Sequence, residues 1–375
     1  MKKLISAIIA TIIILFSGCT AQQVTTNEEP PIVFTRSQYG SSNLSFFHNI
    51  ELYTTGSNQE WAMWALSQLN NSEEKIRLYE FLMRSHSFLM LHDLHDYIDE
   101  YNEVKNIWMD ALPTFDNESR QNIQLMLDDE HWSVDIVYPL DAPFSLSMEE
   151  FLLVYFYFTD ANPQFFLNLI VPGIRHLDSG LVPYITVPAY FAFADRRQIA
   201  YNNVLAMFDE FEQNMRRSID MSNDFEVVRY VYDYVVSVLS YNWTFEDFVP
   251  LARIANDTTI LGFFGDIRLT QCKGYTTAMM YLLNRLGIDT IDQGGSMIER
   301  DEHGVIINFV PHAWNMVRLY GEWFFMDATW ETPGEHNWFL KGRGENNDSY
   351  FLWWHAIAED MLYPEAAVND FIPNS

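Results

Sequence analysis

Two runs of alternating apolar residues, Ala313 to Leu319 and Glu322 to Met326, almost touch in this sequence. Side chains on a strand alternate faces, so each run can bury one side against a core. Between them, Leu319-Tyr320-Gly321-Glu322 reads as a hairpin turn. With Leu319 and Tyr320 paired at the midpoint, His312 lies opposite Asp327. Facing residues of such a pair share a face, with Cβ atoms about 5 Å apart. Asp327 can then accept a hydrogen bond from one ring nitrogen of His312, leaving the other to take a proton. The geometry is conditional, because a slip of one residue moves the pair onto a diagonal or onto opposite faces. Taken alone, a histidine facing an aspartate reads first as a simple cross-strand pair.

Further strands are expected at Thr290 to Met297 and Ile306 to Phe309. Before them, Tyr275, Met279, Leu282, Leu283 and Leu286 form one apolar helical stripe beginning at Cys272. Gly287 sits where a left-handed C-cap is expected. Asn223 or Asp224 can cap a helix with Val227, Val228, Val231, Tyr234, Val235 and Leu239 on one face. A loop of about 25 residues is expected from Asn242 to Leu269, and loops that long are more often functional than filler. From residue 44 to 221 the pattern is mainly helical. Trp61, Trp64, Ala65 and Leu69 recur at helical spacing, as do Ile76, Tyr79, Leu82 and Met83. Ser147 to Glu150 reads as a capping box, and Leu181 to Phe193 as a short strand or an extended connector. The expected organisation is a mainly helical region 44–221 followed by an α+β region 222–375, with the cysteine helix packed on an antiparallel sheet.

The first residues read as an address. Lys2 and Lys3 precede an apolar stretch, Leu4 to Phe16, too short for an ordinary transmembrane helix. Ser17, Gly18 and Cys19 follow, then a polar segment rich in Thr, Asn, Glu and Pro. Small residues before a cysteine resemble a bacterial lipoprotein signal. That resemblance implies a cleaved peptide 1–18, lipid on Cys19, a flexible tether 19–43, and an extracytoplasmic protein held to a cell or outer membrane. An ordinary cleaved signal or an uncleaved anchor is the alternative. The chain has two cysteines. With Cys19 acylated, Cys272 has no partner, and an unpaired thiol in an exported protein is either an inert buried residue or a nucleophile.

Gln271-Cys272-Lys273-Gly274-Tyr275 opens the apolar-striped helix. A helix N-terminus presents free N–H groups and partial positive charge, which favour thiolate over thiol and can hold an oxyanion. A thiol there, with His312 and Asp327 on adjacent strands, is the Cys-His-Asp arrangement of nucleophilic acyl transfer. At these residues the sequence resembles the transglutaminase-like, papain-type superfamily. The matching blocks are Cys272-Lys273-Gly274-Tyr275 with Leu282 to Ile288, then His312-Ala313-Trp314-Asn315, then Gly321 to Trp330. Tyr232 to Val236 and Leu239 to Asn242 match the preceding helix, and Tyr350 to Pro364 a tail common in bacterial members. The resemblance implies a thioester formed on Cys272, with His312 as base and acid and Asp327 as its orienter. No cofactor and no metal is expected. Leu269-Thr270-Gln271 departs from the Gly-Val pair common before the cysteine, and Trp243 or Gln271 is left open as an oxyanion partner.

A net charge of -29 repels phosphate backbones and anionic lipid, which excludes nucleic acid as a partner and leaves membrane contact to the lipid on Cys19. The expected partner is a peptide or protein substrate, cell-wall peptide included. His86, His92 and His95, with Asp93, Asp96 and Asp99, lack zinc-site spacing and read as a polar helix face. Glu331, Glu335 and His336 either line the cleft or solvate a loop. Trp314, Trp323 and Trp330 read as sheet packing, though one could wall a peptide groove. The expected function is an extracytoplasmic cysteine acyltransferase or hydrolase, with protease or amidase action ahead of crosslinking. The alternative is a non-catalytic surface lipoprotein whose groove binds peptides or glycans.

Overall fold

A computed structural model describes residues 56–91, 113, 133–137, 143–165, 173–177, 180–188, 194–243, 258–265, 268–300, 306–344 and 362–373. The signal-like segment, Cys19, the tether, His92, His95 and most of Tyr350 to Pro364 lie outside the described residues.

The N-terminal region opens with helices α1 (Gly56–Ser67) and α2 (Ser72–Leu91), strand β1 (Ser133–Val137) and helix α3 (Met148–Ala161). The capping box forms at the start of α3: Ser147 Oγ accepts from Glu150 N at 3.1 Å, and Glu150 Oε2 accepts from Ser147 N at 2.9 Å. Lys75 adds a 2.7 Å ion pair to Glu150, tying α2 to the same helix start. Strands β2 (Gly173–Leu177) and β3 (Gly180–Pro188) complete an antiparallel sheet in the order β1-β3-β2. The helical region therefore contains a sheet. Leu181 signals β3, but β1 and β2 are each 5 residues, too short to display a clear period of two. Trp64 also departs from expectation, lying 51% exposed.

Helix α4 (Ala194–Ser218) leads to α5 (Asp224–Val238), whose N-cap is Asn223. Next come β4 (Ser240–Tyr241), a short helix α6 (Leu261–Phe264) and β5 (Leu269–Thr270). The expected long loop is thus partly folded: β5 runs parallel to β4, with Ser240 beside Leu269 and Tyr241 beside Thr270. That pairing delivers the chain to α7 (Cys272–Arg285) directly beside the end of α5. The C-terminus of α7 closes as expected, with Gly287 at φ 85° and Ile288 N donating to Leu283 O at 2.9 Å.

The second sheet has the order β6-β7-β8, from Thr290–Arg300, Ile306–Leu319 and Glu322–Met326. The two strands expected on either side of Pro311 are one strand, β7. A proline is tolerated there because β8 pairs with β7 only between Asn315 and Leu319, leaving one side of Pro311 without a neighbouring strand. The hairpin register differs from expectation. Leu319 pairs with Glu322, so the turn is Tyr320-Gly321, with φ of 52° and 92°. Positive φ at both central residues is the two-residue hairpin turn that matches strand twist.

Helix α7 packs on β6 and β7 and buries Tyr275, Met279, Met280, Leu282 and Leu283. Full burial of each such side chain contributes about 1.5–3 kcal/mol. Asn284 fixes the helix end to the sheet, donating to Thr290 O at 3.0 Å and accepting from Thr290 N at 2.9 Å. One hydrophobic cluster runs from α1, α2 and α3 through α5 and α7 to the β6-β7-β8 sheet. The C-terminal segment joins the halves: Trp61 Nε1 donates to Leu362 O at 3.2 Å, and Leu362 N donates to Tyr157 Oη at 2.6 Å.

Candidate active site

Cys272 is the first residue of α7 and is half-buried. No side chain caps this helix start; Gln271 occupies the N-cap without a side-chain hydrogen bond. The first-turn N–H dipoles therefore point toward the thiol's surroundings without a competing side-chain acceptor. Asn315 on β7 holds the first turns of α7 against the sheet by donating to Thr276 O at 3.0 Å.

His312 is 6% exposed, and its Nε2 lies 2.7 Å from Asp327 Oδ2. The two residues are not directly opposite, since Asn315 pairs with Met326 and Asp327 follows the end of β8. A register shift of two residues keeps side-chain parity, so they share a face as a diagonal pair. Asp327 is fully buried, and its second oxygen, Oδ1, accepts from Thr329 N at 2.9 Å. Both carboxylate oxygens thus have a donor, which fixes the plane of the group.

The backbone of Asp327 is held as firmly. Its N–H donates to Trp338 O at 3.0 Å, and the Tyr232 hydroxyl on α5 lies 3.0 Å from its carbonyl. That hydroxyl also lies 2.9 Å from Glu331 Oε2, and Glu331 accepts from Trp338 N at 2.9 Å. Burial, then the Glu331 carboxylate, hold the Tyr232 hydroxyl in its protonated form. Glu331 is therefore a strut for the strand end. His336 pairs with Asp233 at 2.7 Å on the outer side of α5.

Cys272 acts on His312 as a hydrogen-bonding and charged neighbour, and both effects raise the imidazole. With Nε2 facing Asp327, Nδ1 is the nitrogen left to meet the sulfur. Burial opposes a charged imidazole, yet the Asp327 carboxylate, its hydrogen bond and Cys272 outweigh burial and push His312 up to about 10. At neutral pH the ring is an imidazolium. Trp330 Nε1 also lies 2.9 Å from His312 Nε2. One nitrogen cannot donate to Asp327 and accept from Trp330 at once. In the imidazolium, Nε2–H goes to the carboxylate, and the indole acts by covering the ring, its centroid 5.5 Å away. Trp243 stands 64% exposed beside it, 6.4 Å from Trp330 between centroids. Trp314 is buried and donates to Gln293 Oε1 at 3.0 Å.

Two residues of this neighbourhood, Asp160 and Asp292, are unmarked by any motif in the sequence. Lys273 Nζ donates to Asp160 Oδ1 at 2.8 Å and ion-pairs with Asp292. A signal exists: a lysine in a helix's first turn and an aspartate near a helix's C-terminus both oppose the helix dipole. His86 is a core histidine, its Nδ1 2.9 Å from Leu82 O. Among the described residues no cluster of His, Cys, Asp and Glu could hold a metal ion, and no helix is long and apolar enough to cross a membrane.

No family model and no curated protein matches this chain. A solved structure described as "Crystal structure of a TGase" is similar over 54% of this chain and 52% of that one, at 14% identity and a TM-score of 0.25. The chain spans about half the length of that structure, and a likeness this low settles neither fold nor activity.

Proposed function

We propose that this protein is a transglutaminase-like cysteine enzyme that opens peptide or amide bonds through a thioester, with Cys272, His312 and Asp327 as its triad. The supporting observation is that an imidazole held 2.7 Å from a fixed, buried carboxylate is also raised by the thiol at a helix start. Sulfur attacks the carbonyl carbon of the substrate, and the first-turn N–H groups of α7 face the developing oxyanion. His312 Nδ1–H protonates the leaving amine as the C–N bond breaks. Water, giving its proton back to Nδ1, then attacks the thioester and frees the acid and Cys272. An amine in place of water would give a crosslink. We favour hydrolysis because water is always present.

The expected substrate is a peptide or protein, cell-wall peptide included, met outside the cytoplasm. Lys2, Lys3, the apolar run to Phe16 and Ser17-Gly18-Cys19 support export and lipidation at Cys19. Metabolic labelling with a fatty acid should mark the wild-type chain and miss Cys19→Ala; equal labelling would remove the anchor.

The nucleophile is tested by alkylation with iodoacetamide across pH. Fast reaction of Cys272 well below pH 8, slowed in His312→Ala, is the expected result. A rate equal to that of a free thiol in both proteins would instead favour a binding module.

A further inference from the structure

We propose that Asp160 is a positioning residue for Cys272: through Lys273 it draws the first turn of α7 toward α3, against the opposing pull of Asp292 on β6. The residue sits on a helix of the N-terminal region, far from the triad in sequence. Its side chain is 6% exposed and Asp292 is 0% exposed, while Lys273 is 31% exposed. Lys273 immediately follows Cys272, so a tether on its ammonium acts on the backbone that carries the sulfur.

The cluster is poorly suited to a purely structural role. Lys273 opposes the dipole at the start of α7, and Asp160 opposes it at the end of α3. Among the described residues, the two carboxylates share the one ammonium of Lys273. The charges of both carboxylates act on Tyr363 and that of Lys273 on Tyr155, and Thr159 Oγ1 lies 3.3 Å from Asp160 Oδ1. None of these supplies a second cation. Burial pushes the Asp160 carboxyl up to about 7, with Lys273 opposing and Asp292 adding to the rise. A carboxyl raised above its usual 3.8 contributes stability below that value and loses it as pH rises through about 7. At pH 8 the ionised carboxylate therefore costs the fold stability. Charges kept against stability beside a reactive group are expected where they serve the site. Replacing Asp160 by Asn leaves a balanced Lys273–Asp292 pair, so no charge is orphaned.

The test compares full-length wild type with Asp160→Asn at pH 8 by thermal unfolding, iodoacetamide alkylation of Cys272 and amide hydrogen exchange. The variant should melt at or above the wild-type temperature. It should also alkylate at least tenfold more slowly. Amides from Cys272 to Ala278 should lose protection while those of α5 keep theirs. Alkylation within threefold of wild type, unchanged exchange in α7, a lower melting point or a failure to fold would each overturn the proposal. The alkylation readout rests on Cys272 being the nucleophile. If wild type itself reacts as an ordinary thiol, that reading fails, and the tether is judged on the exchange of α7 alone.

Discussion

Asp327→Asn isolates the carboxylate without changing its shape. The amide oxygen can still accept from Thr329 N, which now meets Asp327 Oδ1 at 2.9 Å. The amide nitrogen then faces His312 Nε2, where Oδ2 stands at 2.7 Å. It can only donate, so the neutral ring is driven to the tautomer with hydrogen on Nδ1, the nitrogen meant to take the thiol's proton. The largest support for the imidazolium is lost at the same time. In the wild type the imidazolium persists to about 10, so the positive charge that supports alkylation of Cys272 is present throughout pH 6 to 9. In the variant that charge is lost above about pH 6.5, the ordinary value of an imidazole without the carboxylate. Alkylation should therefore slow about tenfold or more at pH 8, with the deficit shrinking below about pH 6.5, where the variant's ring is charged again. Rates come from mass spectrometry of the alkylated Cys272 peptide. Parallel profiles for the two proteins, offset by a constant factor, would refute the reasoning, because the carboxylate would then not govern proton placement.

Other consequences follow from the same contacts. Because His312 titrates at about 10 when folded and near 6.5 when unfolded, its contribution to stability is complete below about 6.5 and disappears as pH rises through 10. Denaturant unfolding of His312→Gln should thus show a deficit of a few kcal/mol at pH 6 that closes by pH 10 or above; a deficit constant with pH would contradict it. Tyr232→Phe removes the hydroxyl between Glu331 and the Asp327 carbonyl and should cost about 1–3 kcal/mol, read by denaturant unfolding, while slowing alkylation. Trp330→Phe keeps the ring over His312 but deletes the indole N–H, and alkylation should stay within about threefold since that N–H has no lone pair to meet. A larger loss would mean that the resting ring is neutral and accepts from Trp330.

The pairing of His312 with Asp327 was legible because side-chain parity tolerates a shift of two residues. The turn centre lies one residue later than the pattern predicts, between Tyr320 and Gly321, because Tyr320 gives no outward sign of tolerating positive φ. Gly287 and the Ser147–Glu150 box were legible because caps are local chemistry. The parallel pairing of β4 with β5 was not, as two residues per strand carry no period. The tie from Asp160 to Lys273 spans 113 positions and depends on how α3 docks against β6, which no local pattern encodes. Only the opposition of both charges to their helix dipoles hinted at it. The same holds for Tyr232, whose hydroxyl reaches the strand end through packing of α5 beside α7.

The charge state of His312 decides the account. Nitrogen-15 NMR of the ring, followed from pH 5 to 11 in wild type and Cys272→Ser, reports it directly. An imidazolium that survives in wild type to about 10, and loses its proton at lower pH once the sulfur is gone, is the expected result. A neutral ring at pH 8 in wild type, or a titration indifferent to the sulfur, would contradict a working thiol–imidazole–carboxylate line.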